Sequence, residues 1–260
     1  MQQTWLITGP PGCGKTNWIR ETLLNHGGAC AYLRLDGAAH EELGLGHNAG
    51  IDQSWLMDQI PQLEDWSDPA LNSSVPSDDR FLLIEAQQFS SSTQSEDGLD
   101  PQIKQQLQRF NLMPDRTLHF GIDPDLPKQD TLDFTELEAW HLALQGCVWD
   151  PNSLSSFWFE LVNGAYGDVY RAKALMNMPD GRSFFCNWMV SQSGSQFLPM
   201  QAVAPPTGRP NRPSHLVIQG KGLIPTGIEN TIHDCLLSDD VLELQQAPLR
   251  DQQPNPQPTL

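Results

Sequence analysis

Gly9-Pro10-Pro11-Gly12-Cys13-Gly14-Lys15-Thr16 decides how the first half of this chain folds. The octet fits the phosphate-binding pattern Gly-x-x-x-x-Gly-Lys-Ser/Thr at every fixed position. Before it, Thr4-Trp5-Leu6-Ile7-Thr8 is short, apolar and β-favouring, the signature of a buried strand. After it, Asn17 to Asn25 sets Trp18, Ile19, Leu23 and Leu24 near one helical face, and His26-Gly27-Gly28 stops the run. A glycine-rich turn that matched by accident would lack those flanks. Strand, glycine loop and helix together predict a phosphate site.

The residue types follow from that chemistry. Gly9, Gly12 and Gly14 permit backbone angles closed to other residues, and amides from about Cys13 to Thr16 then point at phosphate oxygens. The helix N-terminus adds partial positive charge. Lys15 is predicted to reach the β- and γ-phosphates of a nucleotide, and the Thr16 hydroxyl to sit on Mg²⁺.

Downstream, Ala29 to Leu35 reads as a second strand ending at Asp36-Gly37. Residues 38–50, with His40, Glu41, Glu42 and His47, read as a loop in the place of a switch loop. A helix is predicted over Ser54–Leu63, disturbed by Pro61. Arg80-Phe81-Leu82-Leu83-Ile84-Glu85 is a strong third strand whose terminal acid faces the phosphate loop, where it orients water or enters the shell of the metal. Ser90 to Gly98 is polar and of low complexity. Asp100-Pro101 opens a helix with Ile103, Leu107 and Phe110 inward. Thr117–Ile122 reads as a fourth strand. Asp133-Phe134-Thr135-Glu136 resembles a capping box, opening a helix with Leu137, Trp140, His141 and Leu144 inward. This alternation predicts a P-loop NTPase-like α/β domain with a mainly parallel sheet over residues 1–145.

The pattern changes after Gly146. Cys147–Trp149 reads as a short strand, and Pro151 to Gly164 as a helix burying Leu154, Phe157, Trp158, Leu161 and Val162. Strand-like runs follow at Asp168–Met178, Ser183–Ser191 and Gln196–Val203, the first two joined across Pro179-Asp180-Gly181. His215–Ile218 is another strand, and Thr226-Gly227-Ile228-Glu229 a capping box for a last helix. The expectation is a smaller α+β domain of ferredoxin-like style over 146–244, then a disordered Gln/Pro-rich tail over 245–260.

Composition narrows the function. The net charge is -17 over 260 residues, and residues 1–145 carry most of it, with 22 acids against 8 bases. Such a chain lacks the Lys and Arg that nucleic acid or anionic lipid demands. A nucleotide is still admissible, because the field of the loop is local and Mg²⁺ shields phosphate. The five scattered cysteines, without a Cys-x-x-Cys pair, predict a reduced cytoplasmic chain. No apolar run is of membrane-spanning length, and no basic leader precedes the first strand, so neither a membrane span nor a signal peptide is expected.

With both halves read, the chain resembles the CobW family of P-loop GTPases, which are linked to metal or cobalamin handling. The octet and the Ile84-Glu85 strand end carry the likeness in the first half. In the second half it runs from about Ser153 through Arg171-Ala172-Lys173, the hairpin and His215–Gly220 to the last helix. The resemblance implies Mg²⁺ and GTP, with ATP as the other candidate, and a protein partner acting through the C-terminal domain. Two family motifs are missing. No cysteine lies between Cys30 and Cys147, where the Cys-x-Cys-Cys metal motif belongs. After the fourth strand, Ile122-Asp123-Pro124-Asp125 stands where Asn-Lys-x-Asp reads guanine, so Asp125 is the one candidate base contact. Little discrimination between GTP and ATP is expected.

Further candidates are weaker. His40, Glu41, Glu42 and His47 form one conceivable metal set, His233 and Cys235 another, and Cys13 inside the loop a third; none has zinc spacing. Asp36 stands equally for a strand-end turn and an Mg²⁺ contact. Arg171 and Lys173 share one face of a strand, open to a partner or to solvent. Arg34 and Arg80 lie in or beside strands, so no arginine is expected at the loop. The reading is therefore a slow NTP hydrolase, with Lys15 and Glu85 as its catalytic residues. The rival is a degenerate, non-hydrolysing nucleotide-binding adaptor.

Overall fold

The computed structural model describes residues 3–35, 50–67, 80–88, 98–126 and 137–252. Asp36, the 38–49 loop with both its histidines, the 89–97 polar run and Asp133–Glu136 lie outside them. The chain divides into two compact units, Met1–Ala139 and Trp140–Leu260.

The first unit is an α/β layer structure of the kind the glycine loop predicts. Its elements are β1 (Gln3–Thr8), α1 (Lys15–His26), β2 (Ala29–Arg34), α2 (Ile51–Gln59), β3 (Glu64–Asp65), β4 (Arg80–Glu85), α3 (Pro101–Arg109) and β5 (Arg116–His119). The sheet order is β3-β2-β4-β1-β5, and each pairing is parallel. Parallel strands covered on both faces lose their polar alternation. All six residues of β4 are buried accordingly, the terminal Arg80 and Glu85 included. One face packs Leu6, Leu33, Leu82 and Ile84 against Ile103 and Leu107 of α3. α1 buries Ile19 and Leu23, while its Trp18 stacks on Trp5 of β1. The Asp100 side chain accepts from the Gln102 amide at 2.8 Å, which starts α3 where the sequence predicts. Helix α2 begins at Ile51, three residues earlier than expected, after Gly50 at φ 67. It ends at Gln59, so Pro61 lies beyond the helix instead of bending it.

The second unit holds β6 (Glu138–Ala143), α4 (Pro151–Val162), β7 (Asp168–Asn177), β8 (Ser183–Met189), β9 (Gln196–Pro199), β10 (His215–Lys221), α5 (Pro225–Cys235) and α6 (Asp239–Gln252). The sheet order is β6-β10-β7-β8-β9. β7, β8 and β9 form an antiparallel meander, and β10 runs antiparallel to β7. Trp149, Phe157, Trp158, Leu161, Met176 and Ile218 lie in its core. A ferredoxin-like chain places its second helix before the last strand. Here α5 follows β10, so the topology differs from that expectation.

Four expectations are corrected. Glu138–Ala143 is a strand and not part of a helix, because Trp140, Leu142 and Leu144 recur every second residue and pack on the second core. That strand lies beside β10, and the chain divides within it, between Ala139 and Trp140, ahead of the expected 145. The stretch from Gln245 is helical through Gln252, with Gln246 buried at 2% exposure. Lastly, α5 begins at Pro225 after Ile224, with no side-chain cap from Thr226.

Candidate functional site

The glycine loop joins β1 to α1 and takes the backbone its glycines allow. Gly9, Gly12 and Gly14 have φ of 148°, 77° and 89°. At Gly9 a Cβ would stand 2.7 Å from the Phe120 Cβ. Neighbouring strands hold the root of the loop from both sides. The Gln88 amide donates to the Gly9 carbonyl at 3.1 Å, and the Phe120 amide to the Thr8 carbonyl at 2.9 Å.

Lys15 is buried within its own loop. Its Nζ donates to the Gly9 and Pro10 carbonyls, each at 2.8 Å, and lies 3.6 Å from the Cys13 Sγ. Cys13 is buried as well, at 1% exposure. Behind the loop, His119 Nδ1 lies 2.7 Å from Thr8 Oγ1, and the His119 amide donates to Asp123 Oδ2 at 2.5 Å. Burial lowers the pKa of His119 below its ordinary value; the Lys15 charge adds to this and Asp123 opposes it.

A polar network extends from Thr16 under the sheet edge. Thr16 Oγ1 donates to Asp52 Oδ1 at 3.0 Å. Arg34 Nη1 donates to Asp52 Oδ2 at 2.5 Å and lies 3.7 Å from Glu85 Oε1. The Tyr32 hydroxyl donates to Glu85 Oε2 at 2.6 Å. The topology explains the meeting. Arg34 and Glu85 are register partners at the ends of β2 and β4, and Tyr32 lies two residues back on the face of Arg34. Asp52 arrives in the first turn of α2, where a helix N-terminus favours a carboxylate. Burial works against the Arg34 charge, but Glu85 and Asp52 outweigh it and raise its pKa. Tyr32 is held protonated, by burial first and the Glu85 charge second.

Lys15, Thr16 and the loop glycines are thus assembled at one strand end. Glu85 joins through Tyr32 and Arg34. The sequence reading missed Asp52, Arg34 and Tyr32, and it expected no arginine here. Asp125 behaves differently. Its carboxylate pairs with Arg116 Nη2 at 2.9 Å and is largely exposed. Arg116 opens β5 opposite Trp5 and stacks over that indole, whereas the loop follows Thr8 at the other end of β1.

The remaining candidates scatter. Lys173 is buried, with its Nζ 5.2 Å from the Phe185 ring centroid, so it is no part of an open face. Arg171 donates to Gln219 Oε1 at 3.1 Å. Cys235 belongs to the second core. Among the described residues no group of three or more His, Cys, Asp or Glu is placed to hold a metal, and no helix is long and apolar enough to cross a membrane.

No protein-family model and no curated protein matches the chain. Among solved structures it is similar to the Zn(II)-bound YjiA GTPase from E. coli, at TM-score 0.33 and 12% identity, over 90% of this chain and 98% of that one. A Zn(II)-bound triple mutant of the same GTPase gives TM-score 0.33 and 13% identity over 90% and 99%. At that score the likeness carries no weight for function.

Proposed function

We propose that the first unit binds a nucleoside triphosphate with Mg²⁺ and hydrolyses it slowly, in the manner of the CobW-type GTPases that the sequence resembles. The glycine loop carries this reading: three positive-φ glycines, a buried Lys15 over the loop carbonyls, and Thr16 opening α1. Loop amides and Lys15 hold phosphate, and Thr16 offers the metal a hard hydroxyl oxygen. When bound, the metal neutralises charge on the transferring phosphoryl group. Glu85, held by Tyr32, is the candidate for orienting water.

Slow turnover follows from the state of Arg34. Phosphoryl transfer is accelerated about 10³–10⁵-fold by an arginine on the transition-state oxygens. Here the guanidinium is tied to Asp52 and Glu85. A partner acting through the second unit completes the reading, in a cytoplasmic setting. The adaptor alternative draws support from Asp125, whose carboxylate is engaged by Arg116 instead of standing ready for a base.

Calorimetric titration with GTP, ATP and their diphosphates, with and without Mg²⁺, tests the proposal. Lys15→Ala removes a charge-assisted contact worth about 1.5–3 kcal/mol, so affinity is expected to fall roughly tenfold to a hundredfold. Unchanged affinity in that variant refutes the site.

A further inference from the structure

We infer that Asp52, at the start of α2, is the carboxylate that shares the metal ion with Thr16, and that Glu85 at the end of β4 is not. The inference rests on the nucleotide reading above and sharpens it.

Distance carries the first part. Mg²⁺ takes oxygen ligands at about 2.0–2.1 Å in a near-ideal octahedron, so neighbouring ligand atoms stand about 2.9 Å apart. Thr16 Oγ1 and Asp52 Oδ1 are 3.0 Å apart. The two oxygens already have the separation of adjacent octahedral corners, and both are hard donors suited to this cation. The pair has only to turn toward the ion.

The surroundings carry the second part. Asp52 is 5% exposed and fixed by position as well as by contacts. Gly50, at φ 67, turns the chain into α2 so that the carboxylate enters on the first turn. Arg34 binds the second oxygen at 2.5 Å, so Oδ1 is presented on the Thr16 side. A ligating carboxylate hydrogen-bonded through its other oxygen is the usual outer-shell arrangement. Arg34 is therefore a positioning residue for Asp52.

Glu85 is built for another purpose. One of its oxygens accepts from Tyr32 at 2.6 Å and the other faces Arg34 at 3.7 Å. Oε2 is held by the tyrosine hydroxyl, and Oε1 faces the arginine by charge at a distance beyond a hydrogen bond, which leaves it for water and sets it away from the Thr16–Asp52 pair. Chain order hides this division of labour: the strand-end acid looks like the metal residue, while Asp52 lies 36 positions beyond Thr16 in a helix of no recognisable motif.

The test uses the full chain and a fluorescent triphosphate analogue, titrated with Mg²⁺ alone. Each variant is also measured in chelator, which reports metal-free nucleotide binding and hence an intact loop. Asp52→Asn is expected to raise the half-saturating Mg²⁺ concentration at least about tenfold, with metal-free affinity unchanged within about twofold. Glu85→Gln is expected to leave that concentration within about threefold. A second variant, Asp52→Ser, removes the carboxylate while leaving the Arg34–Glu85 pair in place, and should repeat the Asp52→Asn shift if that variant folds poorly. Wild-type Mg²⁺ dependence in the Asp52 variants overturns the inference, as does a shift confined to Glu85→Gln. Loss of metal-free binding in both Asp52 variants also overturns it, because Asp52 then supports the loop and not the metal. A wild-type chain that binds no nucleotide refutes the underlying reading instead, and so separates the two failures.

Discussion

At the scale of single residues, His119 links the glycine loop to pH. Burial and then the Lys15 charge lower its pKa from 6.5, against the pull of Asp123. The folded chain therefore resists protonating a group that the unfolded chain protonates freely. Between the lowered value and about 6.5 the unfolded state binds more protons, so stability rises with pH through that window and falls as the solution is acidified. His119→Gln removes this contribution. Melting temperatures at about pH 7.5 and pH 5 should fall more steeply for wild type than for the variant, and equal slopes contradict the assignment. Single residues also show what the sequence could and could not disclose. Lys15, Thr16 and Glu85 could be picked out as candidates because each sits in a local sequence pattern. Asp52, Arg34 and Tyr32 could not, because their roles arise where β2, α2 and β4 meet. The pairing of Arg34 with Glu85 needs the strand register, which no local pattern states.

At the scale of elements, periodicity was reliable where only one period fitted. β4 and α3 came out as read, because a six-residue apolar strand and an i, i+4 helix face leave no rival. Trp140, Leu142 and Leu144 suit a strand as well as Leu137, Trp140, His141 and Leu144 suit a helix, and the free edge of β10 decided for the strand. Composition misled at α6. Its glutamines and Pro248 look like a disordered tail, yet Gln246 is a structural anchor. Its Nε2 donates to the Pro179 and Gly208 carbonyls, each at 3.1 Å, and its Oε1 accepts from the Gly208 amide at 2.6 Å. Gln246→Ala strands these buried backbone groups, which costs about 1–3 kcal/mol for an unsatisfied group. Urea unfolding should show that loss. A change below about 0.5 kcal/mol would mean that α6 is dispensable there.

At the scale of the whole molecule, each unit has its own sheet and its own core, so each is expected to fold by itself. The useful question is where the second one begins. If β6 belongs to it, a fragment of residues 137–252 should melt cooperatively, and a fragment of 146–252 should be clearly weaker. The shorter fragment loses Leu144, which is 1% exposed, and the hydrogen bond that the Leu144 amide donates to the Ser214 carbonyl at 2.8 Å. It also loses the packing of Trp140 and Leu142 on the core and uncovers the edge of β10. Burying one leucine is worth about 1.5–3 kcal/mol, and the tryptophan adds to that. For a unit of this size each kcal/mol moves the melting temperature by about 4–8 °C. The shorter fragment is therefore expected to melt at least about 10 °C lower, or to lose cooperativity because an uncovered strand edge pairs with other chains. Differential scanning calorimetry on the two fragments decides between the boundaries. Equal melting temperatures would restore the division at 145 and leave β6 with the first unit.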